Sequence, residues 1–173
     1  MKQKPLVSIL INNYNKQNYC KQALKSAIDQ NYKNIEIIFY DDNSNDGSLS
    51  KIENLKKKFR KKIKIIKNDR RGKIYSFNQM NAIKKSFDKS KGQIICLMDS
   101  DDLFKKRKVK EVVKFFSENP KQEILFDCPS FYRNENDKKK SSEDYFLRKN
   151  KWPKFPPTSC ISFRKKSLKK IFN

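Results

Sequence analysis

The chain has 173 residues and a net charge of +23, with 42 Lys and Arg against 19 Asp and Glu, no histidine and three glycines. This length suits one domain with a hydrophobic core. The lack of histidine excludes a Ser-His-Asp triad, a Cys-His pair and a His-ligated zinc site. Gly47, Gly72 and Gly92 are too far apart for the glycine patterns of dinucleotide-binding folds and P-loops.

The four cysteines form no C-x-x-C pair, which argues against a structural zinc site. The N-terminus leads into a short apolar run with no signal-peptide cleavage site, and no stretch approaches the about 20 apolar residues of a membrane span. We therefore expect a cytoplasmic protein with reduced cysteines.

The basic excess would suit nucleic acid or an anionic membrane surface. Lysines are spread along the whole chain beside many asparagines and isoleucines, whose codons are A/T-rich, so base composition alone would explain much of the bias. No array of base-stacking aromatics is present, and we expect no nucleic-acid partner. The dense runs 56–62 and 165–170 favour peripheral contact with the inner face of the plasma membrane.

Short apolar runs alternate with amphipathic stretches along the chain. The expected strands are 6–11, 35–40, 63–66, 94–98, 124–126 and 160–163, and the expected helices are 19–28, 49–59, 77–87, 109–116 and a basic helix from residue 167. The polar segment 133–151 predicts a mobile loop or lid. The alternation predicts an α/β fold with a mostly parallel sheet and helices on both faces.

Each of the first four strands runs into a polar cluster: residues 12–15, 41–48, 68–73 and 99–102. In open α/β sheets, ligands bind beyond the carboxyl ends of the strands. One such cluster alone would be an ordinary turn or helix cap. Four at one edge of a sheet predict a polar crevice.

The cluster Asp99-Ser100-Asp101-Asp102 places three carboxylates within four residues. Mg²⁺ usually takes one or two carboxylates together with substrate phosphates, so a divalent cation would relieve their repulsion. The alternative is a loop in which Ser100 or Asp102 caps the next helix. Asp41-Asp42 has the same alternative, and Tyr14 suits either the core or a stacking surface for a base.

In this order, these segments resemble the family 2 glycosyltransferases with the A-type fold. The segments that carry the resemblance are Val7–Asn15, Ala23–Tyr32, Ile37–Ser48 with its Asp-Asp-x-Ser-x-Asp-Gly pattern, Gly72–Asn78, the D-x-D of Met98–Asp102, Trp152, Pro156–Ser159 and Phe163-Arg164. The resemblance implies one glycosyltransferase domain over residues 1–173. Its nucleotide-sugar-binding part would cover about 1–128, and an incomplete acceptor-side part about 129–173.

The resemblance implies a Rossmann-like nucleotide-diphospho-sugar transferase fold and inverting transfer of a sugar from a UDP-linked donor. The acceptor would be a hydroxyl of a glycan or lipid-linked molecule in cell envelope polysaccharide biosynthesis, and the cofactor Mg²⁺ or Mn²⁺. The implied nucleotide-sugar-binding residues are Asn12, Tyr14, Asn15, Asp42, Ser44, Gly72, Lys73, Asn78 and Asp99. Asp99 and Asp101 would hold the metal, and Trp152, Thr158 and Ser159 would lie on the acceptor side.

The chain departs from the family pattern in three places. Phe77 stands where an Arg is usual, Asn12 where Pro or Thr is usual, and no acidic residue follows Trp152, although the family's catalytic carboxylate normally does. We therefore expect a truncated chain with no identified catalytic base, unless the polar loop folds back over the site with Asp137, Glu143 or Asp144, of which Glu143 and Asp144 are the favoured pair. The alternative function is a catalytically incompetent nucleotide-sugar-binding fragment. A nucleotidyltransferase would need a Gly-rich phosphate loop, which residues 12–15 do not offer.

Overall fold

The structure is a computed structural model that describes residues 4–59, 62–130 and 157–172. In chain order its elements are β1 Val7–Asn13, α1 Cys20–Ile28, β2 Ile35–Asp41, α2 Ser48–Lys58, β3 Ile63–Lys67, α3 Tyr75–Lys89, β4 Ile94–Asp99, α4 Lys108–Glu118, β5 Ile124–Phe126, a 3₁₀ turn Thr158–Cys160, β6 Ile161–Arg164 and α5 Lys165–Phe172. The predicted loop 133–151, with Glu143 and Asp144, and Trp152 lie outside the described residues.

Six strands form one sheet in the order β3-β2-β1-β4-β6-β5. The first four are parallel, whereas β6 runs antiparallel to both β4 and β5. This confirms the predicted mostly parallel α/β fold. Since β1 lies between β2 and β4, its register places Asn12 beside Asp99 and Asn13 beside Asp41.

Both faces of the sheet are covered, which explains why the central strands read as continuous apolar runs. One face packs against α1, α2 and α4, and takes Ile9 and Ile11 from β1. The other packs against α3 and α5, and takes Leu10. Burying one such side chain contributes about 1.5–3 kcal/mol, so the sheet is a rigid base for the loops at its edge.

The observed elements extend beyond the apolar periodicity. Strand β1 continues through Asn12 and Asn13 because both residues keep their places in the ladders with neighbouring strands. Helix α3 begins at Tyr75, two residues before the predicted start, with its first turn exposed. Apolar periodicity marks only residues that reach the core. In the described part of the chain, no helix has the length and hydropathy needed to cross a membrane.

Candidate functional site

A cleft of about 570 Å³ lies at the carboxyl ends of β1, β2 and β4, beside the first turns of α3. Its lining residues are Asn12, Asn13, Tyr14, Asn15, Lys16, Asp42, Arg71, Tyr75, Asn78, Gln79, Ala82, Asp99, Ser100 and Asp101. The predicted site residues Asn12, Tyr14, Asn15, Asp42, Asn78, Asp99 and Asp101 are thus brought together, whereas Ser44, Gly72, Lys73, Thr158 and Ser159 are not part of this lining.

The two neighbouring acids after β2 have different surroundings. Asp41 is buried toward α2, where its Oδ1 accepts hydrogen bonds from Asn13 Nδ2 and Ser44 Oγ, both at 2.7 Å, and its Oδ2 accepts the N–H of Ser44 at 3.0 Å. Ser44 Oγ also accepts the N–H of Asn15 at 3.1 Å. Asp41 and Ser44 therefore hold the loops that shape the cleft, while Asp42 faces into it.

Asp46 links the loop after β1 to the start of α2. Its carboxylate accepts the N–H of Gln17 at 2.7 Å and the N–H of Ser48 at 3.0 Å. Burial by itself raises the pKa of Asp46, but the hydrogen bonds from Ser48 and Gln17 outweigh it, and the net pKa is lowered. Of the Asp41-Asp42 pair, Asp41 thus has the turn role, through the N–H of Ser44, and no side chain caps α2.

Asp42, Arg71 and Tyr14 form one end of the cleft, called here the stacked end. Asp42 Oδ1 accepts a hydrogen bond from Asn68 Nδ2 at 2.8 Å, and its Oδ2 accepts one from Arg71 Nε at 2.9 Å. The Arg71 guanidinium lies 3.6 Å from the centroid of the Tyr14 ring. Tyr14 is 36% exposed, so the structure places it at the surface of the cleft rather than in the core.

The turn before α3 is closed by a side chain. Asn78 Oδ1 accepts the N–H of Gly72, and Asn78 Nδ2 donates to the Gly72 carbonyl, both at 2.9 Å. A Cβ at position 72 would lie 2.9 Å from Asn78 Oδ1, which explains why glycine suits this turn. Gly72 thus holds the loop, Lys73 is exposed, and Arg71 is the basic residue of this loop that faces the cleft.

Asp99, Asp101 and Lys16 line the other end of the cleft, and Asp102 follows Asp101 directly; these four residues are called here the acidic end. Burial raises the pKa of Asp99 to about 6, and the negative charges of Asp102 and Asp101 add to the shift. Lys16 Nζ lies 2.6 Å from Asp101 Oδ2, and this contact raises the pKa of Lys16. Helix α4 begins only at Lys108, so neither Ser100 nor Asp102 caps it.

The 3₁₀ turn before β6 is tied to the acidic end. Ser159 Oγ accepts the N–H of Asp99 at 2.9 Å and donates to Asp102 Oδ2 at 2.5 Å. Gln79 Nε2 donates to Thr158 Oγ1 at 2.9 Å and lies 3.4 Å from Asp99 Oδ1. Of the two residues expected on the acceptor side, Ser159 therefore bonds directly to Asp99 and Asp102, and Thr158 bonds to Gln79 beside Asp99.

The carboxylates at the acidic end are hard oxygen ligands of the kind that Mg²⁺ and Mn²⁺ prefer. Over residues 4–59, 62–130 and 157–172, however, no three His, Cys, Asp or Glu side chains converge as a ready-made metal cage. The pKa of Asp99 is raised mainly by burial and further by the charges of Asp102 and Asp101, and a cation beside Asp99 would favour its ionised form. This donor set fits a cation whose remaining ligands come from a bound phosphate compound.

A second cleft, of about 900 Å³, meets the first at Asp101. Its lining includes Asp102 and Ser159 together with the apolar side chains of Leu103, Phe104 and Phe115. A molecule in the first cleft and a molecule in the second would thus approach each other beside the acidic end.

Sequence reasoning did not assign Lys16 or Gln79 to the site. Gln79 carried a usable signal, because Tyr75, Asn78, Gln79 and Ala82 recur at helical spacing and therefore share one face of α3. Lys16 carried none, because the acid that it contacts lies far away along the chain.

Comparison with known proteins identifies related sequences over nearly the whole chain. Residues 8–172 match the model of the family described as Glycosyl transferase family 2. An uncharacterized glycosyltransferase of Nostoc sp. (strain PCC 7120) is 30% identical over an alignment of 179 positions. The alignment covers 96% of this chain and 53% of the relative. The glycosyltransferase TuaG of Bacillus subtilis, named for teichuronic acid biosynthesis, is 28% identical over 115 residues, covering 66% of this chain and 43% of TuaG.

Two solved structures share the fold. The mannosyltransferase PcManGT from Pyrobaculum calidifontis, in complex with GDP-Man and Mn²⁺, aligns with a TM-score of 0.73 at 17% identity, covering 98% of this chain and 47% of its own. S. aureus TarS 1–349, in complex with UDP-GlcNAc, aligns with a TM-score of 0.65 at 20% identity, covering 96% and 47%. The chain thus spans about half the length of the Nostoc relative and of both structures.

Proposed function

This chain belongs to glycosyl transferase family 2, and from that premise we propose that its cleft binds a nucleotide-sugar and that the whole protein transfers the sugar to a hydroxyl. The observation that carries the proposal is the distribution of chemistry in one cleft. A planar stacking surface and a hydrogen-bond acceptor lie at the stacked end, and clustered carboxylates lie at the acidic end. A nucleoside diphosphate has corresponding parts in the same order: a planar base, and a diphosphate that a divalent cation would bridge to the carboxylates.

The stacked end supports a uridine donor. Asn68 donates to Asp42 Oδ1 and Arg71 Nε donates to Asp42 Oδ2, and a carboxylate oxygen can accept a second hydrogen bond, so Oδ2 would accept a base N–H beside the Arg71 guanidinium. One acceptor next to one donor suits a base with a ring N–H beside a carbonyl, as uracil has. Guanine presents two adjacent donors, which both oxygens of a carboxylate would pair best.

At the acidic end, we propose that Asp99 and Asp101 hold Mg²⁺ or Mn²⁺ together with the donor diphosphate. A divalent cation there would act as a Lewis acid and stabilise the diphosphate as a leaving group. Asn12, Asn15 and Asn78 would lie along the nucleotide, while Arg71 stays paired with Asp42 at the stacked end. Gln79 would orient Asp99 through its 3.4 Å contact with Oδ1.

The second cleft is the proposed acceptor site because it meets the first at Asp101 and is bordered by Ser159. In an inverting transfer, the acceptor oxygen bonds to the anomeric carbon as the bond to the diphosphate oxygen breaks, and a base takes the acceptor proton. Besides Asp101, which we assign to the metal, the acids that line this cleft in the described part of the chain each have a partner: Asp102 has Ser159, Glu111 has Arg107 across exposed surface, and Asp127 has Lys108. We assign the base to none of them.

These engaged acids favour a second candidate function, which is donor binding without transfer by this chain alone. Isothermal titration calorimetry with UDP and Mn²⁺, beside a radiolabelled-sugar transfer assay with a panel of acceptors, separates the two functions. Binding without turnover supports the binding module. Turnover that survives Glu143→Gln and Asp144→Asn would contradict our expectation that this chain lacks its base.

The same calorimetry tests the donor proposal itself. We expect Asp101→Asn to abolish the Mn²⁺-dependent part of UDP binding and Asp88→Asn, on exposed surface of α3, to leave it unchanged. Unchanged Mn²⁺-dependent binding in Asp101→Asn would refute the metal assignment, and the absence of UDP binding by the parent chain would refute the proposal as a whole.

We also propose contact with an anionic membrane, as the basic runs predict. Helix α2, with exposed Lys57 and Lys58, and α5, with exposed Lys166 and Lys169, lie on opposite faces of the sheet, so one flat surface meets only one of them. The α3–α5 side is favoured because Phe77 and Met80 are 66% and 55% exposed there. Sedimentation with phosphatidylglycerol vesicles, compared with phosphatidylcholine vesicles, should be weakened by Lys166→Gln with Lys169→Gln and unaffected by Lys57→Gln with Lys58→Gln.

A further inference from the structure

Lys16 lies at the acidic end of the first cleft, which we propose as the donor site and call the donor cleft from here on. It lines the cleft together with Asp101, and its ammonium lies 2.6 Å from Asp101 Oδ2 although the two residues are far apart in the chain. Lys16 is thus a cation already bound to a carboxylate that we assign to the metal.

The backbone that carries Lys16 is held in place. The Lys16 carbonyl accepts the N–H groups of Tyr19 and Cys20, at 3.0 and 2.9 Å. The preceding residue, Asn15, has a φ of 51° and accepts the N–H of Asn45 on its Oδ1 at 2.9 Å. The lysine therefore starts from a defined position at the rim of the cleft.

The side chains of the pair are free to change partners. Lys16 and Asp101 are 41% and 38% exposed, so burial does not lock the ion pair, and the lysine side chain has four rotatable carbons. A divalent cation that arrives alone must displace an ammonium from Asp101 and stay close to it. A diphosphate that arrives in the cleft offers the ammonium another anionic partner and brings phosphate oxygens for the metal.

We propose that Lys16 makes divalent-cation binding conditional on the donor: it neutralises Asp101 until a diphosphate enters the cleft, then moves to the phosphates and leaves Asp101 to the metal. This inference rests on the proposed donor function. It assigns Lys16 two roles, as the competitor of the metal and as a phosphate contact, and each role has its own measurement.

The chain offers a matched control. Lys67 Nζ lies 2.7 Å from Glu53 Oε1, with exposures of 56% and 44%, and neither residue lines the donor cleft. Lys16→Gln and Lys67→Gln therefore remove the same charge from two similar surface ion pairs, and only one of them is at the site. Lys16→Arg keeps the charge.

The first measurement is a titration with Mn²⁺ alone, followed by the loss of the free-ion signal in electron paramagnetic resonance. We expect Lys16→Gln to bind Mn²⁺ about fivefold tighter than the parent chain and Lys67→Gln, which is the scale of one exposed ion pair. In an Asp101→Asn background the effect of Lys16→Gln should vanish, because the two residues act as a pair. Equal Mn²⁺ affinities in Lys16→Gln and Lys67→Gln would overturn the proposal.

The second measurement is calorimetry with UDP in the presence of EDTA. We expect Lys16→Gln to weaken UDP binding about fivefold, Lys67→Gln to leave it unchanged and Lys16→Arg to restore it. Tighter Mn²⁺ binding with unchanged UDP affinity would overturn the phosphate role. If the parent chain shows no Mn²⁺-dependent UDP binding, both the proposed function and this inference fail. If the parent chain does show it, but Lys16→Gln and Lys67→Gln bind Mn²⁺ and UDP equally well, only this inference fails.

Discussion

The two ends of the cleft that we propose for the donor balance their charges in different ways. At the stacked end, the Asp42 side chain is 8% exposed and both of its oxygens are hydrogen-bonded within the chain. At the acidic end, Asp101 is 38% exposed and pairs with one lysine, while Asp99 lies next to two further carboxylates. The stacked end is thus preorganised, whereas the acidic end has excess negative charge that a bound cation would neutralise.

The largest expected loss of UDP binding comes from a substitution at the stacked end. Asp42→Ala removes a charged acceptor and leaves Arg71 unpaired, so we expect it to cost about 1.5–3 kcal/mol of UDP binding. The loss should be the same in Mn²⁺ and in EDTA, because the stacked end does not depend on the metal. Calorimetry in both buffers measures it, and parent-like binding in either buffer would mean that Asp42 merely shapes the loop.

The next largest loss of UDP binding is expected from a substitution at the acidic end. Asp101→Asn should weaken UDP binding at least about tenfold in Mn²⁺, equivalent to about 1.4 kcal/mol, and leave binding in EDTA nearly unchanged. Thermal unfolding of the variant should match that of Asp88→Asn, which shows that the fold is intact. An equal loss in both buffers would mean that Asp101 acts without a metal.

The pH dependence of UDP binding should also distinguish the acidic end from the stacked end. A cation needs the ionised form of Asp99, whose pKa is raised to about 6, so Mn²⁺-dependent UDP binding should fall as the pH drops from 7 to 5. Measured with a UDP-sugar, whose diphosphate does not titrate between pH 5 and 7, the metal-independent binding should stay level over this range. A pH series by calorimetry tests this, and Asp99→Asn should abolish the pH response along with metal binding.

The same raised pKa predicts an effect on stability. The folded protein takes up a proton at Asp99 more readily than the unfolded chain does, so this residue makes the free energy of unfolding decrease as the pH rises from about 4 to 6. Without metal, Asp99→Asn should therefore raise the melting temperature at pH 7 and flatten that slope. A variant that melts below the parent at pH 7 would contradict this sign.

The smallest expected effect separates charge from stacking. Arg71→Lys keeps a positive charge near Asp42 but loses the planar group that lies 3.6 Å from the Tyr14 ring centroid. We expect a loss of about 0.5–1 kcal/mol in UDP binding, measured by calorimetry, and a larger loss for Arg71→Met. Equal losses for the two variants would assign the whole contribution to stacking.

The order of elements and the position of the site could be predicted from the sequence. Apolar runs separated by helical repeats predicted the parallel strands, and the polar residues after them had to meet at one edge, because parallel strands all end on the same side. Asp42, Asp99 and Asp101 follow this rule directly. The boundaries were less certain, because Asn12 and Asn13 belong to a strand through backbone pairing that their polarity conceals.

The choice among neighbouring side chains came only from tertiary structure. Asp41 and Asp42 are adjacent, yet alternation along the strand turns Asp41 toward α2 and Asp42 toward the cleft, and only the packed helices decide which face is which. Lys16 meets Asp101, and Ser159 meets Asp102, because the sheet order places their loops side by side. Sequence by itself determined which chemical groups reach the edge of the sheet, because the apolar pattern of each strand and the polar residues that follow it are adjacent in the chain. Their pairing depends on distances between segments that only the folded chain brings into contact.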